Sequence, residues 1–129
     1  MDREYWAEVV VENGWTRAHV TAAKGNLPPD FAYWDIRNEK EQGWTVAHEA
    51  AVSGCLPRSF SRWDLADWDG WTVAHAAAVH GHLPSDFDQW HLKDNQGRTV
   101  EDVAKEYGHF PLADPREAVM YKEFWENET

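Results

Sequence analysis

The chain has a single cysteine, Cys55. That excludes a disulfide framework and a zinc site built from paired thiolates. No apolar run approaches the roughly 18 residues that a membrane-spanning helix requires. The first residues, Met-Asp-Arg-Glu-Tyr-Trp-Ala-Glu, hold no apolar stretch of leader length. The expectation is a reduced, cytoplasmic setting (that of a host cell, if the chain is viral or an effector) and no membrane. Bases are scarce: 12 lysines and arginines face 23 aspartates and glutamates, a formal charge of −11. A field of that sign repels phosphate backbones, so direct nucleic-acid binding is not expected. It favours a protein partner with a basic or mixed surface, or serves solubility alone. Catalytic signatures are missing too. There is no nucleophile elbow, phosphate-binding loop or paired-cysteine site, so neither catalysis nor a cofactor is expected.

What is present is a repeat. Gly-Trp-Thr-x-Ala-His occurs at Gly14–His19, Gly43–His48 and Gly70–His75, and a degraded fourth copy opens at Gly97-Arg98-Thr99. Successive glycines are 29, 27 and 27 residues apart. A fixed period in this range indicates stacked small units, none able to bury its apolar side alone. Residues 1–129 read as one repeat domain. Residues 1–13 form an N-terminal cap, 14–42, 43–69 and 70–96 are full units, and 97–129 are a partial unit with a C-terminal cap.

Each unit divides into parts. From Thr16, Thr45, Thr72 or Thr99 to the next glycine run about nine residues rich in alanine and valine. A threonine cap, two to three turns and a terminating glycine predict a helix there. Next comes Leu-Pro-x-x-Phe-x-x-Trp, complete in the units that hold Trp34, Trp63 and Trp90. Proline is tolerated in a first helical turn, and residues three apart share a helical face, so a short second helix is predicted, partly 3₁₀. Trp34, Trp63 and Trp90 are assigned to the core. Polar turn segments follow at Asp35–Gln42, Asp64–Asp69 and His91–Gln96. Tyr5, Trp6, Val9 and Val10 fall on one side of a capping helix over roughly Arg3–Glu12, and Asp114-Pro115-Arg116-Glu117 opens a closing one. The fold expected is an all-α helix-turn-helix solenoid with shortened second helices and capping helices at both ends.

The run Thr-Val-Ala-His-x-Ala-Ala-x-x-Gly-x-Leu, at Thr45–Leu56 and Thr72–Leu83 and more loosely at Thr16–Leu27, resembles the ankyrin repeat. The aspartate-rich turns Asp67-Trp68-Asp69 and Asp94-Asn95-Gln96 resemble its hairpin tips. The resemblance covers roughly residues 13–112. It departs from the family in its short unit and in the valine or arginine that follows threonine. It implies protein–protein recognition through hairpin tips and the exposed side of the first helix. Carried over position by position, the implied contact residues are Trp15, Trp44, Trp71 and Arg98; Glu41, Gln42, Trp68, Asp69, Asn95 and Gln96; and Val52, Ser53, Val79 and His80.

Each of these features has a plainer reading. Trp15, Trp44 and Trp71 suit binding hot spots, yet an indole in every unit could equally serve stacking between units. Trp68 occurs in one unit only, inside an acidic turn, and is the better single candidate for a partner-facing anchor. His19, His48 and His75 recur one per unit. Helices pack about 8–10 Å apart and a zinc ion needs ligands about 2 Å away, so these histidines cannot share a metal and are expected to be structural. Asp102 takes the histidine's place in Thr99-x-x-Asp102, an acidic variant of the capping box. The cluster Asp64, Asp67, Asp69, Asp86, Asp88 and Asp94 is either a solvated face or a mimic of a nucleic-acid backbone. Two functions follow: an interaction module that works by steric binding, or a small acidic inhibitor, of viral counter-defence or immunity type, that blocks a nucleic-acid-binding enzyme.

Overall fold

A computed structural model describes residues 2–110. Its elements, in order, are α1 (Arg3–Ala7), β1 (Val9–Val11), β2 (Trp15–Thr16), α2 (Arg17–Ala23), β3 (Arg37–Asn38), β4 (Trp44–Thr45), α3 (Val46–Ser53), α4 (Val73–His80) and α5 (Val100–Glu106). Strands β1 and β2 pair antiparallel, as do β3 and β4. The same hairpin recurs as single antiparallel bridges, Ala66 with Thr72 and Lys93 with Thr99.

The four main helices begin alike, and in α3, α4 and α5 each amide of the first turn has a partner. The threonine is extended and its hydroxyl accepts from the third helical amide, as in Thr45 with His48 N–H at 3.1 Å. The first two helical amides donate backwards to the preceding turns: Val46 to the Ile36 carbonyl at 2.9 Å and Ala47 to that of Trp34 at 3.1 Å. In α4, Val73 donates to Leu65 and Ala74 to Trp63 in the same way, and in α5 Val100 donates to Leu92 and Glu101 to Trp90. Groups that helix ends usually leave without partners therefore tie each helix to the segment before it. At the other end Gly54 and Gly81 sit in the left-handed region, where glycine alone has no steric penalty. The Cys55 amide then closes on the Ala50 carbonyl, and that of His82 on Ala77, each at 2.9 Å.

Helices α2 to α5 pack against one another in chain order. Their facing sides are alanine: Ala18, Ala22, Ala47, Ala50, Ala51, Ala74, Ala77, Ala78 and Ala104 are buried. Side chains this small allow close approach but supply little apolar area. The larger area comes from the Phe and Trp of the next segment.

The all-α solenoid expectation is corrected here. Among the described residues the fold is mixed, with five short helices and two small antiparallel sheets, and the second helix expected in the full units is absent. Leu-Pro-x-x-Phe-x-x-Trp instead forms two successive turns, closed by Phe31 N–H to the Pro28 carbonyl (3.0 Å) and Ile36 N–H to that of Tyr33 (3.3 Å). Phe60 to Pro57 and Leu65 to Arg62, then Phe87 to Pro84 and Leu92 to Gln89, repeat the pattern. So short a segment gains few i→i−4 bonds, too few to offset helix nucleation, whereas turns let its aromatic rings reach the units on either side. The rings form one edge-to-face series: Trp6–Phe31–Trp34–Phe60–Trp63–Phe87–Trp90–Phe110, with centroids 4.9–5.6 Å apart. Such pairs add roughly 0.5–1.5 kcal/mol each beyond the area they bury. Phe31, Phe60, Trp63 and Phe87 are buried, and Trp34 and Trp90 are half-buried against the core.

The N-terminal cap is also corrected. Its helix stops at Ala7, and Val9–Val11 enters an antiparallel pair with Trp15–Thr16. Three consecutive β-branched residues favour a strand over a helix. The closing helix expected from Asp114 lies outside the described residues. Among the described residues, no helix is long and apolar enough to cross a membrane.

Phe60 sits between Trp34 and Trp63, 5.6 and 5.0 Å away. Phe60→Ala should lower unfolding free energy by about 3–5 kcal/mol. Urea denaturation checks this; a loss below about 1 kcal/mol would mean that the ring series contributes little.

Candidate interaction face

The face carrying the hairpins is built on histidine. In each of the first three full units the imidazole Nδ1 lies on its own capping threonine hydroxyl, at 2.7 Å for His19, 2.6 Å for His48 and 2.7 Å for His75. Nε2 lies on a carbonyl of the next unit: Trp44 at 2.8 Å, Trp71 at 2.7 Å and Arg98 at 2.9 Å. A carbonyl only accepts, so Nε2 carries the proton and Nδ1 accepts from threonine. All three rings are buried. Burial holds their pKa values below the ordinary range, that of His48 at about 4, partly offset by the bond to the carbonyl. In the fourth unit Asp102 replaces histidine and closes a capping box with Thr99 through two 3.0 Å bonds.

The hairpins rest on one another. Trp68 N–H donates to the Gln42 carbonyl at 2.8 Å, and Asn95 N–H to that of Asp69 at 3.2 Å. The Trp68 ring covers Gly43, where a β-carbon would stand 2.8 Å from ring atoms. Within the third tip, Asp67 Oδ1 accepts from the Asp69 and Trp71 amides at 2.9 and 3.0 Å. In the fourth, Asp94 Oδ1 accepts from Gln96 and Arg98, both at 2.9 Å. In the second, Asn38 takes this place and its Oδ1 accepts from Lys40 N–H at 3.0 Å. The buried Nδ2 of Asn38 has no partner among the described residues.

The fourteen sequence-derived contact residues separate into groups. Trp15, Trp44 and Trp71 are half-buried, each against the histidine of its own unit, with centroids 5.5, 4.7 and 4.8 Å apart. They both pack and present a surface. Arg98, in the corresponding fourth place, lies with its guanidinium carbon 5.1 Å from the Trp71 ring centre and its Nε 2.8 Å from Asp94 Oδ2. The tip residues Glu41, Gln42, Trp68, Asp69, Asn95 and Gln96 are exposed, Trp68 by 55%. Val52 and Val79 pack against the core, while Ser53 and His80 are exposed at helix C-terminal ends. A cavity of about 330 Å³ brings together Trp44, Asp69, Trp71, Gln96 and Arg98, and adds Asp67 and Asp94. The other nine do not line it. Among the described residues, no three His, Cys, Asp or Glu side chains converge as a metal site requires.

No family model and no curated protein matches the chain.

Sequence reasoning passed over the turn role of Asp67 and Asp94, although an aspartate two residues before an amide-rich tip is a recognised Asx-turn signal. It also passed over contacts at the far end of the helices. There Cys55 Sγ donates to the Ala22 carbonyl at 3.3 Å and His82 Nδ1 to that of Ala51 at 2.8 Å. Both donors directly follow a helix-ending glycine, and that shared position was the available signal.

The histidines set a pH dependence. Their folded pKa values are lowered, so the unfolded chain takes up protons first as pH falls. Their stabilising contribution is whole above the unfolded value near 6.5 and is lost as pH falls from there toward about 4, the folded value of His48. For His48 the slope reaches at most about 1.4 kcal/mol per pH unit, and the lowered values of His19 and His75 act in the same direction. Asp35, Asp94 and Asp102, whose pKa values are lowered, lose stabilisation only below the usual carboxylate range, and Asp67, whose value is raised by burial, works in the opposite direction. Urea midpoints should therefore fall steeply between pH 6.5 and pH 5 (about 1.5 units), and a flat profile there would contradict the buried neutral imidazoles.

Proposed function

We propose that the chain is a protein-interaction module that acts by covering part of a partner's surface, without catalysis. One observation carries the reading. Trp68, a large and rigid side chain of the type that dominates binding energy, is 55% exposed on a hairpin tip. It stands beside a cavity lined by two more indoles and three aspartates. The likeness of the repeat to the ankyrin signature supports the same role. The charge of −11 favours a partner whose surface is basic or mixed.

The charge also motivates the second reading, an acidic inhibitor that imitates a nucleic-acid backbone. Its support is thinner because the acids do not form one row. Asp67, Asp69 and Asp94 line one cavity, Asp86 lines another with Trp63 and His82, and Asp94 is buried.

The test is affinity capture with the intact chain, identification of what is captured, and titration of that purified protein. Trp68→Ala should weaken binding at least about tenfold. It should cost no more than about 1 kcal/mol of stability, since only one side of the ring is packed. Undiminished affinity would remove the hairpin tips from the contact. A steep loss of affinity from about 50 to about 500 mM salt, for a partner that itself binds DNA or RNA, would favour mimicry instead.

A further inference from the structure

The third and fourth hairpin tips place the same aspartate in two different settings. Asp94 uses Oδ1 for two tip amides and Oδ2 for the Arg98 guanidinium, which in turn lies over the Trp71 ring. Asp67 uses Oδ1 for two tip amides in the same manner. One repeat earlier, however, the place of Arg98 is held by Trp71, which carries no charge. Among the described residues, no cation pairs with Asp67 and none lies over the Trp44 ring. Arg37 acts on Asp67 only through space, since its Nη1 is held by the carbonyls of Gly43 and Ala66 at 2.9 and 2.8 Å.

The cavity has two halves. Asp94, Gln96 and Arg98 line the one on the side of Trp71, where the guanidinium is supplied; Trp44, Asp67 and Asp69 line the other, where no side chain supplies one, while the Trp44 indole N–H is occupied by Glu49 at 2.9 Å. Its volume of about 330 Å³ is ample for a planar guanidinium. The two carboxyls respond to their settings. Burial pushes Asp67 up, whereas at Asp94 the same burial is outweighed by the Arg98 and Gln96 amides and the Arg98 guanidinium, so its carboxyl stays below the ordinary range.

We propose that the space between Trp44 and Trp71 is a binding slot for an arginine side chain of a protein partner, stacked on indole and paired with Asp67, as Arg98 is stacked on Trp71 and paired with Asp94. Arginine suits it better than lysine because a flat guanidinium can stack and donate in its own plane together, whereas an ammonium is a hydrated point charge. The proposal rests on the reading of this face as an interaction surface and adds the chemistry of the group it takes.

The test uses the intact chain and two synthetic peptides, tetra-arginine and tetra-lysine, followed by the indole and backbone N–H signals in NMR titrations. Tetra-arginine should shift the indole signals of Trp44 and Trp71 and the amides of Asp67 and Asp69, and bind at least about fivefold tighter than tetra-lysine. Asp67→Asn keeps an oxygen for the tip amides, as Asn38 does in the second hairpin tip, and should weaken tetra-arginine about tenfold with little change in melting temperature. Trp71→Arg, which would fill the slot from within the chain, should abolish the response. Asp30→Asn, outside this cavity, should leave it unchanged. Equal losses from Asp30→Asn and Asp67→Asn, equal affinity for both peptides, or binding undisturbed by Trp71→Arg would overturn the slot in favour of diffuse charge attraction. A captured protein partner that needs Trp68 but is indifferent to Asp67→Asn would also overturn it while leaving the interaction role standing.

Discussion

Each buried imidazole joins two units through its two nitrogens, and hydrogen-bond chemistry permits one proton arrangement only. Nε2 must donate, because its partner is a carbonyl of the following unit, and Nδ1 must accept from the threonine that starts its own helix. The ring therefore fixes helix start, unit spacing and hairpin position at once. A side chain with one polar atom at this place could satisfy the cap or the neighbour, but not both. Asp102 serves the cap: its carboxylate accepts from the Thr99 amide, and a carboxylate has no proton to donate to a carbonyl.

A second set of contacts joins the same units. Alanine-faced helices cannot by themselves bury enough apolar area to hold small units together. The edge-to-face rings supply it, and because each ring touches one in its own unit and one in a neighbour, no unit completes its core alone. The hairpin face is thus held by polar bonds at the helix starts and by aromatic packing. That rigidity keeps the indoles of Trp44 and Trp71 in place beside the carboxylates.

How much of this was legible follows from where the deciding contacts lie. Thr45-x-x-His48 and Gly54 mark a helix by local bonds, and both positions were read from sequence alone. The aromatic segment was misread because its spacing suits a helix equally well; what selects turns is the chance for Phe60 to meet Trp34 and Trp63, a choice made between units. Strands of two residues carry no periodic signal at all, and Val9 and Val10 suit one side of a helix with Tyr5 and Trp6 as well as they suit the strand that β-branching favours. At the candidate site, the tips and indoles were found through the repeat. The different settings of Asp67 and Asp94 were not, because the pairing of Arg98 with Asp94 over the Trp71 ring is a contact in space that the aligned repeats do not show.

Each kind of bond between units also keeps one direction along the chain. Histidine N–H groups point forward to the next unit, and hairpin amides such as those of Trp68 and Asn95 point back to the one before. The array accordingly has a head and a tail, as a written line does. An extended chain laid along it meets indole, carboxylate and guanidinium in one order, and the same chain reversed meets them in the other. Direction is then built into the scaffold itself, prior to any particular side chain.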